Sequence, residues 1–256
     1  MTRGRPMNTD RVVLLTGAVG GIGSELVDRF LDNGDTVIAC DVSEGTLGGW
    51  RARWDTHGRL NPRLVTAAAD IATADGTADL AEQARQHAGR VDVLINCAGW
   101  FPIVPFEEMS SDQWRQVLDI NLTGTFLVTR AVLPLMKNLG WGRIVNFGSG
   151  STFDGTAGQS HYVAAKAGVI GLSRSLAREL GGYGITVNVI TPGLTVTQAV
   201  RDSFPEEILA AQRERRALQR DQLAGDLVGP VFFLASDDAG FITGQTLNVD
   251  GGVFML

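Results

Sequence analysis

V-V-L-L-T-G-A-V-G-G-I-G, residues 12–23, joins a short aliphatic run to a cluster of glycines. The run Val12–Thr16 has the β-branched, apolar character of a buried strand. Glycines follow at Gly17, Gly20, Gly21 and Gly23, and residues 25–33 read as a helix closed by Gly34 at C′. Between a strand and a helix, glycine lets the backbone turn tightly and approach a pyrophosphate, whose charge sits at the helix N-terminus. The spacing G-x-x-x-G-x-G differs from the G-x-G-x-x-G fingerprint, and by itself it also suits a simple tight turn. Asp41, 18 residues past Gly23, ends the next apolar run. A carboxylate there accepts hydrogen bonds from ribose hydroxyls and repels a 2′-phosphate, and neither Gly20 nor Val42 offers a cation. That favours NAD over NADP. The alternative is an Asp that caps the turn at 42–43.

Farther out, short apolar runs alternate with longer helical ones, the pattern of βαβ units. Strands are expected at Thr36–Asp41, 64–69, 91–96, 143–147, 186–191 and Thr246–Val249, with helices over 73–88, 110–136 and from about 159 to 180. The expected fold class is α/β, a single doubly wound, Rossmann-like domain over residues 10–256 with a parallel sheet of about seven strands. Residues 1–9 read as a tail. Only two connections are long, 99–110 and 193–222, and ligands bind in such loops at the carboxyl ends of parallel strands.

The run H-Y-V-A-A-K places Tyr162 and Lys166 four residues apart, on one face of a helix. A cation beside a phenol stabilises phenolate and draws its pKa toward the range of a general acid/base. His161 points about 100° away from that face, so a packing or substrate-loop role suits it. Trp100 opens W-F-P-I-V-P-F, read equally as a loop on the core and as a hydrophobic substrate wall.

Composition is that of an ordinary globular chain: 256 residues, 44% hydrophobic and 20% charged. The net charge of −6 argues against a nucleic-acid or anionic-membrane surface, and no run approaches a membrane span. Arg213, Arg215 and Arg216 alternate with Glu214 and Asp221 nearby, the pattern of a solvated helix face. Cys40 and Cys97 lie in apolar runs without metal-like Cys/His spacing, so reduced thiols, no metal site and a cytoplasmic location are expected.

In these motifs the chain resembles the short-chain dehydrogenase/reductases, from Val12 to Gly252. T-G-A-V-G-G-I-G looks like the family's T-G-x-x-x-G-x-G, and Asn96-Cys97-Ala98-Gly99 like its N-N-A-G with Cys97 in place of the second Asn. Pro192-Gly193 and Thr197 look like its P-G-x-x-x-T segment, and F-I-T-G-Q-T-L-N-V-D-G-G is a further signature. The resemblance implies cofactor contacts from Gly17, Gly20, Gly21, Ile22, Gly23, Asp41, Val42, Asp70, Ile71, Asn96, Ala98, Gly99, Tyr162, Lys166, Pro192, Gly193, Thr195 and Thr197. It implies a catalytic set of Asn121, Ser149, Tyr162 and Lys166. Tyr162 would exchange the proton, Ser149 would stabilise the carbonyl oxygen, Asn121 would kink its helix and hold a relay water, and Lys166 would also grip the cofactor ribose. Trp100, Ser151, Phe153, Leu194 and Phe204 are candidate substrate residues.

The expected activity is NAD(H)-dependent hydride exchange between a small apolar or aryl secondary alcohol and its ketone. The alternatives are a 3-oxoacyl-thioester (acyl carrier protein) reductase and, from another class, a non-catalytic NAD-binding sensor. An acidic chain carries little basic surface to dock an acyl carrier, and a sensor has no need of Ser149, Tyr162 and Lys166 together. The family implies a homotetramer built through the helices at 110–136 and 159–180.

Overall fold

The computed structural model describes residues 10–55 and 61–255. The expected tail at 1–9 lies outside the described residues. Seven strands form one sheet: β1 Val12–Thr16, β2 Thr36–Asp41, β3 Leu64–Ala68, β4 Val93–Asn96, β5 Gly142–Phe147, β6 Ile185–Pro192 and β7 Thr246–Val249. Their order is β3-β2-β1-β4-β5-β6-β7 and every pairing is parallel.

Parallel neighbours need crossovers, which the helices supply. These are α1 Gly21–Asp32, α2 Glu44–Asp55, α3 Ala74–Ala88, α4 Ser111–Leu118, α5 Gly124–Val132, α6 Ser151–Asp154, α7 Ser160–Leu180, α8 Gln198–Ser203, α9 Glu206–Arg215 and α10 Gly225–Leu234. Successive β1 residues divide between two cores. Val13 and Leu15 pack with α1 and α10 through Leu26, Phe30, Leu227 and Val231. Val12 and Leu14 pack with α3 and α5 through Leu80, Ala84, Val128 and Val132. Both faces are therefore covered, which is why the strands read as continuous apolar runs rather than alternating ones.

The order reverses between β1 and β4, and there the loops leaving the two strands diverge to opposite faces and open a crevice. The helices differ from expectation in three places. Helix α1 begins in the glycine loop at Gly21 rather than at 25. The helix expected over 110–136 is divided: a π-helical turn, Asp119–Thr123, separates α4 from α5, and 3₁₀ turns follow. Helices α2, α6, α8 and α10 are additional to those expected. Glycines at Gly45, Gly48 and Gly49 blur α2, and Pro230 lies inside α10.

Candidate active site

The glycine loop is closed around backbone contacts. Gly17 has φ +71°, and a Cβ there would lie 2.7 Å from Ala98 Cα. A Cβ on Gly21 would lie 2.7 Å from Thr197 Cγ2, and one on Gly23 would collide with the carbonyl oxygen of Gly17. Gly20 caps α1 without a side-chain hydrogen bond, leaving first-turn amides open to an anion. This bare, tightly approached helix start fits the pyrophosphate of a dinucleotide.

On the far side of the crevice, one Asp41 oxygen accepts from Val19 N at 3.1 Å and the other from Val42 N at 2.8 Å. The carboxylate therefore caps the turn and braces the glycine loop, and its remaining lone pairs leave it capacity to accept further hydrogen bonds. Val42, 62% exposed, brings no cation. Asp70 is exposed after β3 and accepts from Ala72 N at 3.0 Å, while Ile71 packs toward α5 through its contacts at Gly124.

Asn96 departs from its expected role. Its amide donates to Asn146 Oδ1 at 2.8 Å and Thr129 Oγ1 at 3.1 Å, away from the crevice. Asn146 continues to Ser173 Oγ at 2.8 Å, so a buried polar rung links β4, β5, α5 and α7 beneath the site. Ala98 donates its amide to Thr16 Oγ1 at 3.3 Å, tying the β1 and β4 loops together.

Ser149 follows β5, and Tyr162 and Lys166 sit one turn apart on α7. Ser149 Oγ lies 2.8 Å from Ser151 Oγ and accepts from Ser151 N at 3.2 Å. Lys166 is buried, and its ammonium donates to Phe147 O at 2.9 Å and lies 5.7 Å from the Tyr162 ring centroid. Asn121 lies buried in the π-helical turn. Its amide donates to Trp100 O at 2.8 Å and Val117 O at 3.0 Å, and its oxygen accepts from Trp100 N at 3.3 Å. Both amide protons are thus engaged, so the side chain offers a relay only an acceptor, Oδ1. A Cβ on Gly99 would meet this oxygen at 3.0 Å and Lys166 Nζ at 3.4 Å, so glycine there lets Asn121 and Lys166 converge.

The expected lowering of the Tyr162 pKa is corrected by the structure. Burial pushes the phenol up to about 12, opposed by its hydrogen bond with Ser149. Burial also pulls Lys166 down to about 8. A phenol so placed is protonated at neutral pH, which makes it a proton donor first.

These shifts set a pH dependence for stability in the chain without added cofactor. The unfolded chain binds more protons at Lys166 between its folded value of about 8 and its ordinary 10.5, so stability rises with pH there. Cys40 and Cys97 are pushed by burial from 9.0 to about 12, and Tyr162 from 10.0 to about 12, so their earlier ionisation in the unfolded chain reverses the trend. The melting midpoint is expected to climb from about pH 8 to about pH 9 and then fall. Circular dichroism melts under reducing conditions check this, and Lys166→Met should remove the climb. A climb that persists unchanged in that variant contradicts the assignment to Lys166.

A cavity of about 380 Å³ opens onto this cluster. Its lining includes Ile22, Gly99, Ser149, Ser151, Tyr162, Lys166, Pro192, Gly193, Leu194, Thr195, Thr197 and Phe204. Thr197 caps α8 by accepting from Val200 N at 3.4 Å, and Thr195 donates to Gly193 O at 3.2 Å. Two expected substrate residues do not line the cavity. Trp100 is 39% exposed with its backbone held by Asn121, and Phe153 packs on Phe254 at 5.5 Å. The wall instead takes Phe101, edge-on to Tyr162 at 6.3 Å, with Val200, Ile208 and Phe254. Sequence reasoning also missed Gln159, which donates to Phe101 O at 3.0 Å, and Arg215.

The basic cluster is not one solvated face. Arg216 is only 3% exposed and donates to the carbonyls of Asp250 at 3.2 Å, Arg220 at 3.0 Å and Leu194 at 2.7 Å. It lies at the C-cap of α9, where the chain turns inward.

Residues 11–208 match the family model described as short chain dehydrogenase. Acetoacetyl-CoA reductase of Allochromatium vinosum is 36% identical over 250 residues, 96% of this chain and 99% of that protein. The (2S)-[(R)-hydroxy(phenyl)methyl]succinyl-CoA dehydrogenase subunit BbsD of Thauera aromatica is 38% identical, covering 95% of this chain and 96% of that one. The 3-oxoacyl-[acyl-carrier-protein] reductase FabG of Thermotoga maritima is 34% identical, covering 95% and 97%. With the glycine loop, the crevice at the strand reversal and the Ser149, Tyr162 and Lys166 cluster in place, these matches over nearly the whole length have one reading: the chain belongs to the short-chain dehydrogenase family, oxidoreductases of CH–OH and ketone groups that use a nicotinamide cofactor.

Proposed function

We propose that this chain interconverts a 3-oxoacyl thioester and its 3-hydroxyacyl form with NAD(H). The observation that carries the reading is a cavity lined together by Ser149, Tyr162 and Lys166, by apolar side chains such as Phe101 and Leu194, and by the half-exposed Arg215. That arrangement suits a carbonyl next to an apolar chain with a polar carrier outside. The names of the relatives quoted above support a thioester over the free small alcohol, which becomes the second reading. The aromatic wall of Phe101 and Phe204 favours that second reading for aryl ketones.

The nicotinamide, when bound, supplies or accepts the hydride. Ser149 Oγ donates to the carbonyl oxygen and stabilises the charge that develops there. Tyr162 Oη delivers its proton to the same oxygen, and its raised pKa keeps that proton available at neutral pH. Lys166, at about 8, stays largely protonated at neutral pH and is the cation nearest the phenol. Gly17, Gly20, Gly21 and Gly23 would hold the pyrophosphate, and Asp41 the adenosine ribose. A homotetramer and a cytoplasmic location remain part of this reading. Phe126, exposed on α5, supports the former; among the described residues no helix is long and apolar enough to cross a membrane.

The test compares kcat/KM for an acetoacetyl thioester and for an aryl methyl ketone, each with NADH and NADPH. Faster thioester reduction supports the reading; turnover of the ketone alone replaces it with the second. Asp41→Ser tests the cofactor. Because Asp41 also braces Val19 N, kcat/KM with NAD+ should fall about tenfold or more on losing a charge-assisted acceptor. With NADP+ it should rise. An NADP+ rate that falls in parallel would remove Asp41 from cofactor choice.

A further inference from the structure

We infer that Arg215 is an anion-recognising residue at the mouth of the catalytic cavity, held between turnovers by Asp154, and that it selects substrates bearing a negative charge beyond the reacting carbonyl. The inference rests on the reading that this cavity binds the substrate. Three charged side chains line it: Asp154, Lys166 and Arg215. Lys166 is buried and already donates to Phe147 O. Arg215 is therefore the accessible cation of the lining.

Its position is built from three distant parts of the chain. Arg215 ends α9, and its Nη2 lies 3.1 Å from Oδ2 of Asp154, which ends α6 just beyond Ser149. The guanidinium also stands 5.8 Å from the Phe254 ring, and Phe254 is backed by Phe153. That aromatic base limits the rotamers of a long side chain and lowers the ordering cost of a contact. The neighbouring arginines are used differently. Arg213 pairs with Glu206 and Asp221, and Arg216 is sealed among backbone carbonyls.

The Asp154–Arg215 pair is 38% and 49% exposed. Ion pairs at that exposure contribute little, so a substrate carboxylate or phosphate can take the place of Asp154 at small cost. The planar guanidinium fork matches either group. The substrate class that follows has a ketone or secondary alcohol at Ser149 and Tyr162, an apolar segment along Phe101 and Leu194, and an anion at the rim. A coenzyme A thioester, with phosphates outside the acyl pocket, has this pattern.

The experiment uses the full chain with NADH and measures kcat/KM for acetoacetyl-CoA and for the neutral S-acetoacetyl-N-acetylcysteamine. The readout is the ratio of the two, which does not depend on the fraction of folded protein. Arg215→Gln is expected to lower this ratio about tenfold, the loss of one charge-assisted contact. Asp154→Asn, which releases Arg215, is expected to raise it. A ratio that stays constant in both variants overturns the inference and leaves the pair a surface clasp. Should wild-type protein reduce neither thioester, the thioester reading itself fails. The same ratio for an aryl methyl ketone with and without a ring carboxylate then decides Arg215 alone: a drop in Arg215→Gln supports the anion site, and no change overturns it.

Discussion

Tyr162→Phe is expected to lower turnover by about 10³-fold or more while leaving cofactor binding nearly intact, because only the proton-bearing oxygen is removed. The ring stays, so the edge contact with Phe101 and the α7 backbone are preserved. Ser149 loses the phenol as a hydrogen-bond partner but keeps Ser151 at 2.8 Å. The loss should therefore fall on kcat and not on the melting midpoint. Cofactor affinity, read by quenching or transfer of tryptophan fluorescence to reduced nicotinamide, should barely move. A variant that turns over at the wild-type rate would show that the proton comes from elsewhere.

Gly23→Ala should abolish measurable cofactor binding and also destabilise the fold. In an ordinary helix this change gains up to about 1 kcal/mol. Here the new Cβ would collide with Gly17 O and lie 2.9 Å from Gly17 C. Both are backbone atoms of the loop whose φ of +71° only glycine adopts readily, so the loop itself has to move. Overpacking of this kind costs about 1–3 kcal/mol, enough to lower the melting midpoint by several degrees. Gly48→Ala is the matching control. It lies in α2, where an added Cβ would meet nothing within 4 Å, and it should gain rather than lose stability. If the two variants melt alike, the close packing of the glycine loop is not what holds the crevice in shape.

Much of this was legible in the sequence because it rests on local rules. Strands buried on both faces read as apolar runs such as V-V-L-L-T, and the glycine cluster between strand and helix admits few structures. The Tyr162 and Lys166 spacing fixes a shared helix face. What was not legible depends on tertiary contacts. Asn121 was placed at a kink, but the divided helix over 110–136 and the clamp on Trp100 emerge only when two loops meet. Arg215 and Arg216 are adjacent in a charged run, yet one faces the cavity mouth and the other is buried, a difference set by the end of α9. The Tyr162 pKa shifts upward because burial outweighs the hydrogen bond with Ser149, and burial is not a property of spacing.

The central claim is that the Ser149, Tyr162 and Lys166 cavity supports hydride transfer to a ketone from a cofactor seated at the glycine loop. The most direct measurement follows the label from nicotinamide dideuterated at C4 into the product of an acetoacetyl thioester. The account predicts one deuterium on the new carbinol carbon, formed in step with loss of the reduced-nicotinamide absorbance and absent with Tyr162→Phe. Consumption of the cofactor without deuterium in the product, or no consumption with any ketone or thioester, would contradict it.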